Sequence, residues 1–178
     1  MSAADPRLAL LRARVREVPD FPRPGILFRD LTPLMGDGAA MRACVDLLAA
    51  RVAVHGPDVV VAIESHGFIF GAPMAAALGL GFAPVRKPGK LPSRTLRRTY
   101  DLEYGTDSLE MHADAVRPGA RAVVVDDLLA TGGTAAATIE LVREQGAEVV
   151  AAVFVVELEL LAGRARLPGV PVEALIAY

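Results

Sequence analysis

The 178-residue chain is long enough for one well-buried core and short for two domains. Hydrophobic residues make up 53% of it, with Gly 16 and Pro 13, which excludes a disordered chain and favours a compact, turn-rich one. A formal net charge of −2 excludes nucleic-acid or membrane binding by bulk attraction.

Asp5 and Pro6 read as a helix start, a capping acid followed by proline in the first turn. Leu8, Leu11, Val15 and Val18 continue at helical spacing. Pro19, Pro22, Pro24 and Gly25 then stop the helix and force a stiff, irregular segment through Phe28. A second helix is predicted from near Asp37, with Met41, Val45, Leu48 and Val52 on one face. The single cysteine, Cys44, falls on that helix as a small core residue.

Residues 59–63 form a short apolar run of the kind that makes a buried parallel strand. It ends in Glu64-Ser65-His66-Gly67, and 68–78 is predicted helical. Residues 82–85 read as the next strand. From 86 to 105 the chain changes character, with six cations between Arg86 and Arg98 and no acid until Asp101. A long loop or ribbon of this kind in a compact domain is usually functional. A helix is predicted over 107–116, a strand over 122–125, and a helix over 134–145 closed by Gly146. Residues 149–156 and 172–176 complete the strands.

This alternation predicts one α/β domain, a doubly wound, mainly parallel sheet flanked by helices. Residues 1–36 are expected to form a small cap, with the segment after Glu157 folding beside it over the crevice. Ligands of such sheets sit at the carboxyl ends of the strands, where Glu64, Arg86 and Asp126 all fall. No apolar run reaches transmembrane length, and the first residues lack a secretory leader's apolar core. With no possible internal disulfide, a cytoplasmic protein is expected.

The most informative segment runs Val123-Val124-Val125-Asp126-Asp127-Leu128-Leu129-Ala130-Thr131-Gly132-Gly133-Thr134. An apolar strand delivers two acids, and a Thr-Gly-Gly-Thr turn opens a helix whose free N–H groups and positive dipole end suit an anion. The acids suit hydroxyls or a magnesium ion. A ligand with both a phosphate and a ribose diol satisfies both halves. The competing reading, a tight strand–helix turn with glycines for geometry, leaves two adjacent acids without partners.

This segment closely resembles the phosphoribosyl-pyrophosphate signature of type I phosphoribosyltransferases. The resemblance implies that Asp126 and Asp127 hold the ribose hydroxyls and that Ala130, Thr131, Gly132, Gly133 and Thr134 bind the 5′-phosphate. Three further segments resemble the adenine-specific family. Residues 20–30 (DFPRPGILFRD) match its base-recognition segment, implying that Leu27 and Arg29 read the purine edge through backbone groups and Phe28 stacks on the ring. From the residues themselves Phe28 reads equally well as a core aromatic. Residues 86–92 (RKPGKLP) and 100–105 (YDLEYG) match its mobile catalytic loop. They imply pyrophosphate contacts from Arg86, Lys87 and Lys90, and proton exchange on the base by Glu103, with Asp127 also catalytic. Arg94, Arg97 and Arg98 are expected to be solvated or to reach a neighbouring subunit.

Glu64-Ser65-His66-Gly67 resembles the pyrophosphate loop, in which Ser65, His66 and Gly67 contact the leaving group, with one departure: the family commonly has arginine where His66 stands. A histidine supplies charge only when protonated, so affinity for the substrate is expected to fall as pH rises. His55 and His112 match no motif and are expected at the surface or satisfied in the core. The resemblance implies AMP formation from adenine and phosphoribosyl pyrophosphate, Mg²⁺ held mainly by the substrate rather than by direct protein ligands, and a homodimer, with no nucleic-acid or membrane partner. Two alternatives remain: transfer to another base such as hypoxanthine, xanthine or orotate, and a non-enzymatic nucleotide-sensing regulator.

Overall fold

The structure, a computed structural model, describes residues 5–101 and 105–178. Helix α1 (Pro6–Ala13) starts as expected, the Asp5 carboxylate accepting the Arg7 N–H at 2.9 Å. It ends before Val15 and Val18, which continue its spacing but not its structure. Val18 instead lies in β1 (Arg16–Pro19), paired antiparallel with β2 (Leu27–Asp30) so that it stands opposite Phe28. Proline at position 19 disfavours the helical region for Val18, and the ribbon pairing supplies the backbone hydrogen bonds a helix would have made.

A short helix α2 (Thr32–Gly36) leads to α3 (Gly38–Ala53), whose first amides, Ala39 and Ala40, donate to the Asp37 carboxylate at 3.0 and 3.1 Å. Val45, Leu48 and Val52 are buried on the predicted face, and Met41 packs at its edge. Strand β3 (Val59–Ile63), α4 (His66–Leu78) and β4 (Gly81–Val85) follow. Next comes an antiparallel hairpin, β5 (Thr95–Asp101) and β6 (Thr106–His112).

That hairpin overturns the helix expected over 107–116. Within β6 the buried apolar residues are Leu109 and Met111, which stand two apart, the spacing of a strand face rather than a helix stripe, and Val116 is buried only beyond the strand. The long 86–105 segment therefore takes the ribbon form of its two sequence readings over Thr95–Asp101 and the loop form over 87–94. Strand β7 (Arg121–Leu129) runs past the expected end, because Asp126, Leu128 and Leu129 keep pairing with β8 (Glu148–Glu157). Between them lies α5 (Gly133–Glu144). Two 3₁₀ turns, Glu159–Leu161 and Gly163–Arg166, precede β9 (Val172–Ala177).

Among the described residues the central sheet has the order β4-β3-β7-β8-β9, parallel throughout. Its side chains alternate between two cores. Val60, Ala62, Val123 and Val125 face α1, α3 and α4, whereas Val61, Ile63, Ala122 and Val124 face α5 and the hairpin. Burial of both faces is what lets these strands read as unbroken apolar runs. The segment after Glu157 does not join the cap as a unit, because β9 is an edge strand of the main sheet. It still meets the N-terminal segment: Arg12 Nη2 donates to the Ala177 carbonyl at 3.1 Å, and the Arg29 guanidinium lies 3.8 Å from the centre of the Tyr178 ring.

Candidate functional site

Strands β3 and β7 are neighbours in the sheet, and each turns directly into a helix at its carboxyl end. The two turns face a cavity of about 240 Å³ whose wall includes Glu64, Ser65, His66, Lys87, Asp126, Asp127 and Thr134. A smaller recess of about 60 Å³ beside it is enclosed by Asp126, Phe154 and the loop 128–135. One crevice thus gathers residues far apart in sequence.

The β7 side carries the paired acids. Asp126 accepts the N–H of Asp127 at 2.9 Å. Burial, with the neighbouring Asp127 charge adding to it, pushes the Asp126 carboxyl well above the usual carboxylate range. Asp127 reaches across the cavity, its Oδ2 2.8 Å from His66 Nδ1. The departure from arginine therefore matters structurally: His66 faces an acid expected to hold the ribose.

The loop 130–134 follows. Gly132 adopts φ +80°, which side-chain-bearing residues rarely take, and no side chain caps the α5 N-terminus among the described residues. Its first amides are left for a ligand. The loop rests on the second 3₁₀ turn. A Cβ on Gly132 would collide with the Gly163 carbonyl oxygen, and a Cβ on Gly163 would collide with the Ala130 carbonyl oxygen. Gly163 was not a sequence candidate, and a lone glycine in an irregular stretch gives no signal of such a contact.

On the β3 side a cis peptide joins Glu64 and Ser65. A Cβ on Gly67 would lie 2.9 Å from the Val125 carbonyl oxygen and 3.0 Å from Asp126 Oδ1, so glycine permits the first turn of α4 to abut the acids. Arg86 Nε donates to Glu64 Oε2 at 2.6 Å. Lys87 lines the cavity and pairs with Asp107 of β6. Burial works against its charge, but the Asp107 carboxylate and Tyr100 together more than offset this and raise the Lys87 pKa. Lys90 does not line the cavity; its carbonyl accepts from Arg86 Nη1 at 3.4 Å.

Tyr100, another residue that sequence reasoning did not assign to the site, stands at the junction. Its hydroxyl donates to Asp107 Oδ2 at 3.2 Å and lies 3.4 Å from both Lys87 Nζ and Thr134 Oγ1. Its role depends on hairpin pairing that no local pattern announces. Arg97 and Arg98 are not merely solvated: Arg97 pairs with Glu110, and Arg98 with Glu140 and Glu144.

The expected base-reading residues lie on the β1–β2 ribbon. Phe28 is 39% exposed and Leu27 45% exposed, so Phe28 is not a core aromatic. Phe28 meets Phe21 edge-on with ring centres 5.1 Å apart, beside a cavity of about 200 Å³ lined by Val18, Phe21, Phe28 and Asp30. The Arg29 side chain is engaged elsewhere, with Glu17 and the Tyr178 ring. Glu103 lies outside the described residues. His55 and His112 depart from expectation, since the Nε2 of each is buried with no hydrogen-bond partner among the described residues. Cys44 is buried as expected, and burial pushes its thiol up to about 12.

Known proteins resemble this chain in sequence and in fold. The family model described as Phosphoribosyl transferase domain matches residues 37–166. An adenine phosphoribosyltransferase of Rhodospirillum centenum is 58% identical over 168 residues, 94% of this chain and 98% of that protein. The crystal structure of adenine phosphoribosyltransferase from Thermoanaerobacter pseudethanolicus superposes with a TM-score of 0.93 at 49% identity, covering 96% of this chain and 99% of that one. The Saccharomyces cerevisiae enzyme, solved with an imino-altritol bisphosphate and adenine, gives a TM-score of 0.92 at 38% identity over 96% of this chain and 98% of that one.

Proposed function

Because the chain belongs to the adenine phosphoribosyltransferase family, and so forms AMP and pyrophosphate from adenine and phosphoribosyl pyrophosphate, we propose how its residues divide that work. The observation that carries the assignment is the shared wall of the crevice: the acids Asp126 and Asp127, the open N-terminus of α5 and the cation Lys87 all face one space. Asp126 and Asp127 take the ribose hydroxyls, and Ala130 to Thr134 take the 5′-phosphate. Ser65, His66, Gly67, Arg86, Lys87 and Lys90 form the pyrophosphate half-site.

Transfer breaks the bond between the ribose anomeric carbon and pyrophosphate and makes one to an adenine nitrogen. The sugar passes through an oxocarbenium-like state, so the protein acts chiefly by positioning and by fixed charge. Asp127, beside the diol, stabilises positive charge on the sugar. Leu27, Phe28 and Arg29 hold the base on the proline-stiffened ribbon, where backbone groups need little reorganisation. Glu103 exchanges the imidazole proton of adenine. Closure of the 86–105 segment excludes water that would otherwise hydrolyse the activated sugar.

Magnesium would be held mainly by oxygens of the substrate, as the family resemblance implies for this reluctantly dehydrating ion. Bound there, it would neutralise charge on the leaving pyrophosphate. We read the protein as a cytoplasmic homodimer, supported by the family resemblance and, for the compartment, by a sequence with a single cysteine. Among the described residues no helix is long and apolar enough to cross a membrane.

The test is direct. Protein, Mg²⁺ and phosphoribosyl pyrophosphate are mixed with each free base in turn, and nucleotide is measured with and without chelator. AMP from adenine, lost on chelation, is expected. Turnover of another base in preference to adenine overturns the assignment of the ribbon to adenine, and full activity in chelator overturns the role of magnesium.

A further inference from the structure

Glu110, on β6, is absent from the cavity wall and yet only 4% exposed. A carboxylate leaves water only for specific partners. Here the partners converge on the segment that carries the proposed pyrophosphate cations. Glu110 Oε2 accepts the Gly89 N–H at 2.9 Å. The main chains of Glu110 and Arg86 exchange both hydrogen bonds, at 2.9 and 2.7 Å. Oε1 accepts Arg97 Nε at 2.9 Å and Nη2 at 2.6 Å, bracing the carboxylate from β5. Arg97 first and the Gly89 amide second hold the Glu110 carboxyl below the usual range, so it stays ionised.

The attachments fall on either side of Lys87, at Arg86 and at Gly89. Residues 87–94 form no helix or strand, so neither supplies their backbone with hydrogen bonds. With both ends fixed, Lys87 reaches the cavity wall and Arg86 reaches Glu64. We propose that Glu110 is a positioning residue for the pyrophosphate half-site, its carboxylate setting where the 86–89 segment presents its cations. The inference rests on the assignment of Arg86 and Lys87 to pyrophosphate given above.

The experiment compares Glu110→Gln, Glu110→Leu and Lys87→Met, using the KM of each substrate, calorimetric binding of magnesium pyrophosphate, and melting temperature. Gln keeps an acceptor for the Gly89 amide but loses the ionic hold on Arg97; Leu loses both. Pyrophosphate Kd and the KM for phosphoribosyl pyrophosphate are expected to rise about threefold in the Gln variant and tenfold or more in the Leu variant, since displacements near 1 Å can cost about a hundredfold. The KM for adenine should stay within twofold. Parent-like pyrophosphate binding in Glu110→Gln and Glu110→Leu, or an adenine KM rising in parallel, overturns the proposal. Should the Leu variant fail to fold, the Gln variant decides by the same criterion. Parent-like pyrophosphate binding in Lys87→Met overturns the half-site assignment itself, a result distinct from failure at Glu110.

Discussion

Gly163→Ala adds one methyl group at the seat of the 130–134 loop. The added Cβ would overlap the Ala130 carbonyl oxygen and lie 2.9 and 3.0 Å from Leu129 Cδ1 and Cγ. Ordinary carbon contacts need about 3.5 Å or more. Leu129 cannot swing aside, being 1% exposed in the second core. The loop or the 3₁₀ turn must therefore shift by roughly 1 Å, a misplacement that can cost about a hundredfold in rate. That corresponds to about 2.7 kcal/mol of barrier. Overpacking separately costs about 1–3 kcal/mol of stability, lowering Tm by roughly 2–4 °C for each kcal/mol in a chain of this size. Initial rates with phosphoribosyl pyrophosphate varied at saturating adenine, beside scanning calorimetry, measure both effects. A kcat/KM for phosphoribosyl pyrophosphate within threefold of the parent, at unchanged Tm, would refute the reasoning.

Three further outcomes are expected. Asp126→Asn should lower activity by about 10- to 100-fold, the worth of a hydrogen bond to a charged group. It should also stabilise the protein at neutral pH. A carboxyl whose folded pKa is raised contributes stability below the unfolded value near 3.8 and loses it as pH rises through the folded value. The gain in Tm on substitution should accordingly fade as pH falls toward 3.8, and a pH-independent difference contradicts this account. Tyr100→Phe leaves the ring packed but removes the hydroxyl between Asp107 and Thr134, so the KM for phosphoribosyl pyrophosphate should rise about three- to tenfold with the adenine KM unchanged. His66→Arg supplies a permanent, forked charge beside Asp127, so the KM for phosphoribosyl pyrophosphate should fall; an unchanged or higher KM disposes of the idea.

Features encoded locally were legible in the sequence. The runs at 59–63, 122–125, 149–156 and 172–176 are buried on both faces or at the sheet edge, and each is a strand. The acids and the glycine loop stand where the strand–helix junction puts them. What escaped was set by distant partners. Val18 continues a helical spacing but is claimed by pairing with Phe28. Leu109 and Met111 carry too little apolar periodicity to announce a hairpin, which forms because residues 95–101 lie opposite. Gly163 matters through two carbonyl oxygens, its own and that of Ala130, more than thirty residues apart in the chain. The Asp127–His66 contact spans 61 positions and needs adjacent parallel strands to exist.

The chain contains no tryptophan and three tyrosines, at 100, 104 and 178. With excitation beyond the absorption band of its six phenylalanines, its near-ultraviolet emission therefore comes from phenol rings. Tyr100 lines the cavity shared by Asp126, Asp127 and Lys87, Tyr178 lies against Arg29 of the β1–β2 ribbon, and Tyr104 is next in sequence to Glu103. The unlabelled protein is thus its own optical probe. Titration with pyrophosphate, which does not absorb there, should change the signal through Tyr100. A Tyr178→Phe variant should keep that response, and Tyr100→Phe should lose most of it.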